Sequence, residues 1–170
     1  MSAALASRVI DAVPTAKDKY YKLVLVVGPA RSGKTATLAI VAQQRGWPRL
    51  NVNLRLSERL LELTQKQRKV RVAAILDETV RAENSSVVIL DNIEMLFAQD
   101  LEQDPLRLLQ GLSRNLMIIA AWPGTIDGGC LTYAEPGHPE ARRYVNPQAR
   151  IVSADTMMAS EVVPATNERT

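Results

Sequence analysis

The chain has 170 residues, 46% of them hydrophobic and 23% charged, the balance of a single globular domain with a core of useful size. No run approaches the ~18–20 apolar residues of a membrane span, Met1–Arg8 lacks the basic leader and long apolar stretch of an export signal, and one cysteine (Cys130) with one histidine (His138) excludes an internal disulfide and a Cys/His zinc site and fits a reducing cytoplasm. A net charge of +3 attracts polyanions in general, while 4% aromatic content gives little material for stacking single-stranded nucleic acid.

Taken in chain order, Leu5 to Val13 is a short amphipathic stretch that Pro14 is expected to stop. The run Lys22–Val27 is apolar, β-branched and without polar alternation, so it predicts a strand buried on both faces, ending at Gly28. Lys34–Arg45 reads as a helix with Gly46 as its stop. Leu50–Leu54 alternates and predicts a second strand. Ser57 is expected to open a helix carrying Leu60, Leu61 and Leu63, with a break near Gln67–Lys69 and a further helix over Val70–Arg81. Val87–Asp91 predicts a third buried strand ending in a carboxylate. Pro105–Leu112 reads as a helix with Asp104 as N-cap and Gly111 weakening its end. Leu116–Ala121 predicts a fourth strand closed by Trp122-Pro123-Gly124; Leu131–Tyr133 and Ala149–Val152 are further strand candidates, and from Met157 onward a frayed tail is expected. Strands alternating with helices predict an α/β fold with a mostly parallel sheet and right-handed crossovers. The expected division is a helical extension over 1–19, a core over 20–155 and the tail over 156–170.

Gly28-Pro29-Ala30-Arg31-Ser32-Gly33-Lys34-Thr35 fits the phosphate-loop pattern G-x-x-x-x-G-K-[ST], set between a buried strand and a helix. The glycines let the backbone turn tightly and aim N–H groups at the β- and γ-phosphates of a nucleotide, and the positive end of the following helix faces the anion. Lys34 supplies a point charge to the transferred phosphoryl and Thr35 a hydroxyl for Mg2+. Thr37, on the next turn, is added to the nucleotide-binding set. Asp91 is the expected second half of the site, a carboxylate at the end of a buried strand holding Mg2+ through water, on a strand expected to lie beside the loop strand. No G-x-G-x-x-G dinucleotide fingerprint and no Asn-Lys-x-Asp guanine-reading element is present, which favours ATP.

Arg55, Arg59, Lys66, Arg68, Lys69 and Arg71, set against Glu58 and Glu62, form a basic cluster that could face phosphates of DNA or an acidic partner, or be a solvated helix face.

Gly28–Thr35 together with Val87–Glu94 resembles the AAA+/STAND branch of P-loop NTPases. More narrowly, these motifs with Leu54–Arg68 (LRLSERLLELTQKQR), Leu90–Phe97, Ala121-Trp122-Pro123-Gly124 and Tyr133–Glu140 (YAEPGHPE) resemble BrxF, the small P-loop family of bacterial BREX phage-defence operons, over residues 20–152. The resemblance implies an additional-strand core, ATP and Mg2+ as ligands, a cytoplasmic role in resisting phage, and partners encoded in the same operon. Additional-strand ATPases usually carry a water-polarising glutamate directly after the aspartate. Here Asn92 stands in that place; it cannot accept a proton but can orient water, and Glu94, two residues on, becomes the candidate base. Where a polar residue should watch the γ-phosphate the chain offers Trp122 and then Thr125. Ring ATPases present an arginine to a neighbour's nucleotide, and Arg142, Arg143 and Arg114 are the candidates.

Three functions fit these residues. The first is an ATPase that oligomerises and drives or licenses a partner complex on DNA, although only a short segment follows Val152 to build a helical lid. The second is a nucleotide-controlled switch with little turnover, favoured by Asn92. The third is a small nucleotide kinase, with Gly124–Pro147 and its arginines as the lid.

Overall fold

The computed structural model describes residues 2–133 and 141–154. The tail and the greater part of the Tyr133–Glu140 block lie outside them. Five parallel strands, β1 (Leu23–Gly28), β2 (Arg49–Asn51), β3 (Val87–Asp91), β4 (Met117–Pro123) and β8 (Arg150–Ser153), form one sheet in the order β2-β3-β4-β1-β8. A second, antiparallel sheet contains β5 (Thr125–Asp127), β6 (Cys130–Tyr133) and β7 (Arg142–Tyr144) in that order. The sequence therefore read the α/β class and its parallel sheet correctly.

Apolar runs with no alternation give strands covered on both sides. Leu23, Leu25 and Val27 join Val88, Leu90, Ile118 and Ala120 in the core against α3 (Val52–Leu60), α4 (Gln65–Arg81) and α5 (Pro105–Leu112). Val24, Val26, Ile89, Met117 and Ile119 face the other way, against α1 (Ser2–Ala16) and α2 (Lys34–Arg45). The result is three layers, helix on sheet on helix. Leu5, Ala6, Val9, Ala12, Val13 and Ala16 of α1 are all buried in that second core, packed on α2, and Arg8 donates to the Ser153 carbonyl at the end of β8 (3.0 Å).

Four expectations change. Pro14 does not stop α1, which runs on to Ala16: proline forfeits a single intrahelical bond there, and burial of Val13 and Ala16 offsets it. The alternating stretch is strand only to Asn51, whose side chain accepts the Leu54 N–H (3.0 Å) and so caps α3; Val52, Leu56 and Leu60 then bury one helical stripe. Ser57 accordingly lies inside α3, its hydroxyl donating to the Leu54 carbonyl (3.0 Å). The helix break comes at residues 61–64, earlier than expected, because Thr64 and Gln67 form a reciprocal capping box that starts α4 at Gln65. Lastly, β3 is not beside β1. The fully apolar β4 takes the central place, with Leu25 level with Ala120 on one side and Leu90 level with Ala120 on the other.

The small sheet is pinned to the carboxyl end of the large one. Trp122, fully buried, donates its indole N–H to the Thr132 carbonyl (3.0 Å) and meets Phe97 and Tyr144 edge-on (centroids 5.0 and 5.7 Å). Tyr133 stacks on Phe97 at 3.8 Å. The Tyr144 hydroxyl donates to Asp104 (2.8 Å); burial and that bond push it well above the ordinary phenol range, so it stays protonated at any physiological pH. Gly124 is needed at the junction, since a Cβ there would collide with the Thr132 carbonyl.

Two stability changes follow. Thr64→Ala removes the capping box and should cost about 1 kcal/mol, about 2–4 °C in a thermal melt of a chain this size. Gly124→Ala should cost more, roughly 1–3 kcal/mol by overpacking, measured by urea unfolding.

Candidate nucleotide site

β1 is buried to its last residue and then turns over Gly28, where an added Cβ would run into the Ser32 hydroxyl and lie 2.8 Å from the Ala154 methyl. The loop reverses through Arg31 (φ 64°) and Gly33 (φ 92°), both left-handed, and α2 begins at Lys34. Gly33 suits that conformation for want of a Cβ; Arg31 adopts it at some cost, a strain characteristic of binding loops. α2 ends where expected, with Gly46 (φ 71°) returning its N–H to Ala42 (2.8 Å). The first-turn N–H groups and the positive dipole end of a twelve-residue helix thus open at the carboxyl edge of the sheet.

The Lys34 ammonium is held by the loop it belongs to, donating to the carbonyls of Gly28 (2.6 Å) and Pro29 (2.8 Å), with Ser32 Oγ at 3.5 Å. Burial pulls it below the ordinary lysine range, while the negative charges of Glu94 and Asp91 pull it back up. Lysine, aspartate and glutamate, distant in sequence, therefore share one electrostatic neighbourhood.

Asp91 ends β3 with 2% of its surface exposed. Its Oδ1 accepts the Asn92 N–H (2.9 Å), and its Oδ2 is buried without a hydrogen bond. A carboxylate oxygen so buried is costly unless a cation completes it; Arg49 Nη1, 3.5 Å away, does so by ion pairing alone, without a hydrogen bond. With the exposed Thr35 hydroxyl at the start of α2, this oxygen donor set suits Mg2+, which takes one or two protein oxygens and fills its octahedron with water and phosphate. Among the described residues no cluster of three His, Cys, Asp or Glu offers an all-protein metal cage, in keeping with that mode.

Asn92 follows with φ 53°, and its carbonyl accepts the Asn53 N–H (2.8 Å). Glu94 opens a short 3-10 turn, Glu94–Phe97, and is exposed. Asn53, from the first turn of α3, holds this turn twice over: its amide donates to Glu94 Oε1 (3.1 Å) and its oxygen accepts the Met95 N–H (2.7 Å). At the other end of the turn Phe97 is locked between Trp122 and Tyr133. Asn51, Asn53, Ser57, Asn92, Glu94 and Tyr133 line an open cleft of about 560 Å³ beside it.

Other candidates are placed differently. Thr37 is completely buried on α2, its hydroxyl without a partner, so it does not reach the loop's outer surface. Thr125 bonds Thr132 through their hydroxyls (2.7 Å) while lining a small crevice with Gly28 and Pro29. Arg114 sits at the amino ends of the strands, opposite Gly28, with its guanidinium over Tyr20 (5.0 Å). Arg142 donates to the Gln103 carbonyl (3.0 Å) and Arg143 to Cys130 Sγ (3.0 Å), so in the described part of Gly124–Pro147 both arginines are tied into a pinned sheet rather than poised on a lid. In the basic cluster Arg55, Arg59 and Lys69 pair with Glu83 (3.8 Å), Glu78 (3.1 Å) and Glu102 (3.0 Å), and Arg68 caps the Leu60 and Leu63 carbonyls (2.9 and 3.1 Å); Lys66 and Arg71 are exposed. Half of that charge is thereby neutralised within the fold.

Asn53 and Arg49, whose Nη1 lies 3.5 Å from Asp91 Oδ2, were not anticipated. Reading Leu50–Leu54 as one strand hid the first; an asparagine just ahead of an apolar helical stripe was the available signal. Asn53→Ala should lower stability by about 1–2 kcal/mol, because the Met95 N–H loses its acceptor, with the loss read in urea unfolding and the α2 loop left intact.

Comparison with known proteins agrees with this geometry. The pattern of the ATPase family associated with various cellular activities (AAA) matches residues 24–121, from β1 through the end of the apolar part of β4. No curated protein sequence matches the chain. Among solved structures, that of C. elegans PCH-2 is similar at 17% identity with a TM-score of 0.40, over 91% of this chain and 39% of that one. With more than half its length matched, over a span that contains Gly28–Thr35 and Asp91, the chain belongs to the AAA family of ATPases.

Proposed function

We propose that this chain is a Mg2+-dependent ATP-binding ATPase of bacterial antiphage defence, of the BREX type, that works as a homo-oligomer in the cytoplasm and drives or licenses a complex of operon partners on DNA. The observation that carries the nucleotide reading is the glycine loop that opens α2 at the sheet edge where β3 ends in the buried Asp91. The defence role rests on the resemblance of the downstream blocks, Ala121–Gly124 and Tyr133–Glu140, to BrxF.

In this reading Gly28–Thr35 wraps the β- and γ-phosphates with backbone N–H groups, and Lys34 exchanges two loop carbonyls for phosphate oxygens. Mg2+ would be held by Thr35 and, through water, by Asp91, and would supply charge neutralisation of the phosphates. Glu94 orients a water whose oxygen bonds to the γ-phosphorus as the bond to the β,γ-bridging oxygen breaks; it takes the water's proton as ADP and phosphate separate. Asn53 decides whether Glu94 is free to do so, since its amide already occupies Oε1.

That hydrogen bond also supports the second reading, a nucleotide-controlled switch with little turnover. Glu94 is engaged by Asn53, and Asn92, in the place of the usual glutamate, offers no proton acceptor. An arginine from a neighbouring copy (Arg142, Arg143 or Arg114) is the group the ATPase reading still requires.

Steady-state hydrolysis across a hundredfold range of protein concentration, with Lys34→Ala as blank, separates these. A rate per protomer that rises with concentration is expected for sites completed between copies. A flat, measurable rate would overturn the oligomeric site, and a rate equal to the blank with nucleotide still bound would favour the switch. Lys34→Ala should lose nucleotide binding, whereas Glu94→Gln should keep it while hydrolysis falls about 10²-fold, the usual contribution of a positioned base.

A further inference from the structure

Arg49 is a charged group in contact with Asp91 that the reading above leaves unused. It begins the edge strand β2 and is the register partner of Ile89, two residues before Asp91. Alternation along paired strands puts Arg49, Ile89 and Asp91 on one face of the sheet, the face that carries α2. From there its guanidinium reaches diagonally to Asp91 Oδ2, 3.5 Å away. That oxygen is buried and makes no hydrogen bond, so the contact is Coulombic and not a bidentate fork. The side chains differ sharply in exposure, 38% for Arg49 against 3% for Asp91. The cation has solvent beside it into which to move; the carboxylate has none.

We propose that Arg49 is the resident counter-ion of Asp91, which must leave Oδ2 before that oxygen can accept a metal-bound water, so that Arg49 sets the Mg2+ concentration at which nucleotide binds in its metal-bound form. This inference rests on the nucleotide reading of the same site. A guanidinium does not deprotonate in a protein, so it cannot yield to the metal by losing a proton and has to swing away. Lys34 differs, because phosphate draws it off the loop carbonyls in the same event that brings the metal. Arg49, on an edge strand, has no second anion within ion-pair distance among the described residues. Its exchange is a cost borne by every Mg2+ that binds, and it disappears when the charge is removed.

The test is equilibrium binding of a fluorescent ATP analogue to the full chain, first in EDTA and then across a MgCl2 titration. Arg49→Gln should lower the half-saturating Mg2+ about two- to fivefold, the worth of an ion pair of this exposure, while Arg49→Lys stays near wild type. Arg49→Met, similar in length, gives the same comparison should glutamine disturb the edge strand, and a thermal melt of each variant shows that it has folded. Nucleotide binding that tightens with Mg2+ identically in wild type and in the uncharged variants would overturn the inference alone. A higher Mg2+ requirement in those variants would overturn it too, by making Arg49 a contact of the loaded site. Absence of nucleotide binding by wild type in both conditions would overturn the phosphate-loop reading and this inference with it.

Discussion

The site depends on two strand ends being held at one edge of the sheet by a third strand between them. β1 ends in Gly28 and β3 in Asp91, and neither touches the other; β4 pairs with both and fixes how far each extends. Parallel pairing is evenly spaced, so this register delivers the turn of the phosphate loop and the buried carboxylate to the same edge of the sheet. It is at the carboxyl ends of parallel strands, where helices begin and their positive ends open, that open α/β sheets bind anions. Helices α1 and α2 on one face, and α3 to α5 on the other, keep that frame dry and hence stiff.

On this frame the charges are arranged by burial. Asp91 is sunk at the end of β3 with an oxygen that makes no hydrogen bond, and three cationic influences bear on it: Lys34, Arg49 and, in the nucleotide reading, Mg2+. Low dielectric makes each of these interactions stronger than it would be at the surface, and makes the carboxylate intolerant of being left alone. Glu94 is treated in the opposite way. It is exposed, carried on a short turn instead of a strand, and held by a side-chain amide from α3 at one end while Phe97 anchors the other in an aromatic cluster. A rigidly buried carboxylate beside an exposed, tethered one is a division of labour that a single dipeptide at the strand end would not permit.

The three-stranded sheet between β4 and β8 lies beyond the span that matches the AAA family. Trp122 fixes it through Thr132, Tyr144 fixes it to Asp104 at the head of α5, and Tyr133 stacks on the turn that carries Glu94. A force on β6 is therefore felt at Phe97, three positions from the candidate base. The sequence suggested β6 alone, through Leu131–Tyr133; the rest of Gly124–Tyr144, rich in glycine and proline, reads as loop.

The sequence by itself determined the class and the chemistry of the loop. Unbroken apolar runs at 23–27, 87–90 and 117–121 cannot be half-exposed, so a sheet covered on both faces followed from them. Gly28–Thr35 and Asp91 were legible because local backbone geometry dictates them: a tight turn needs glycine, and a carboxylate ending an apolar strand has few other uses. The tertiary structure alone decided strand order, the start of α3, and the partners of Asp91 and Glu94. Those depend on which strand slides between which, and on side chains such as Arg49 and Asn53 that are ordinary polar residues until β2 and α3 are laid beside β3. Neighbours created by packing leave no trace in the spacing of residues along the chain; only the fold brings them within reach of one another.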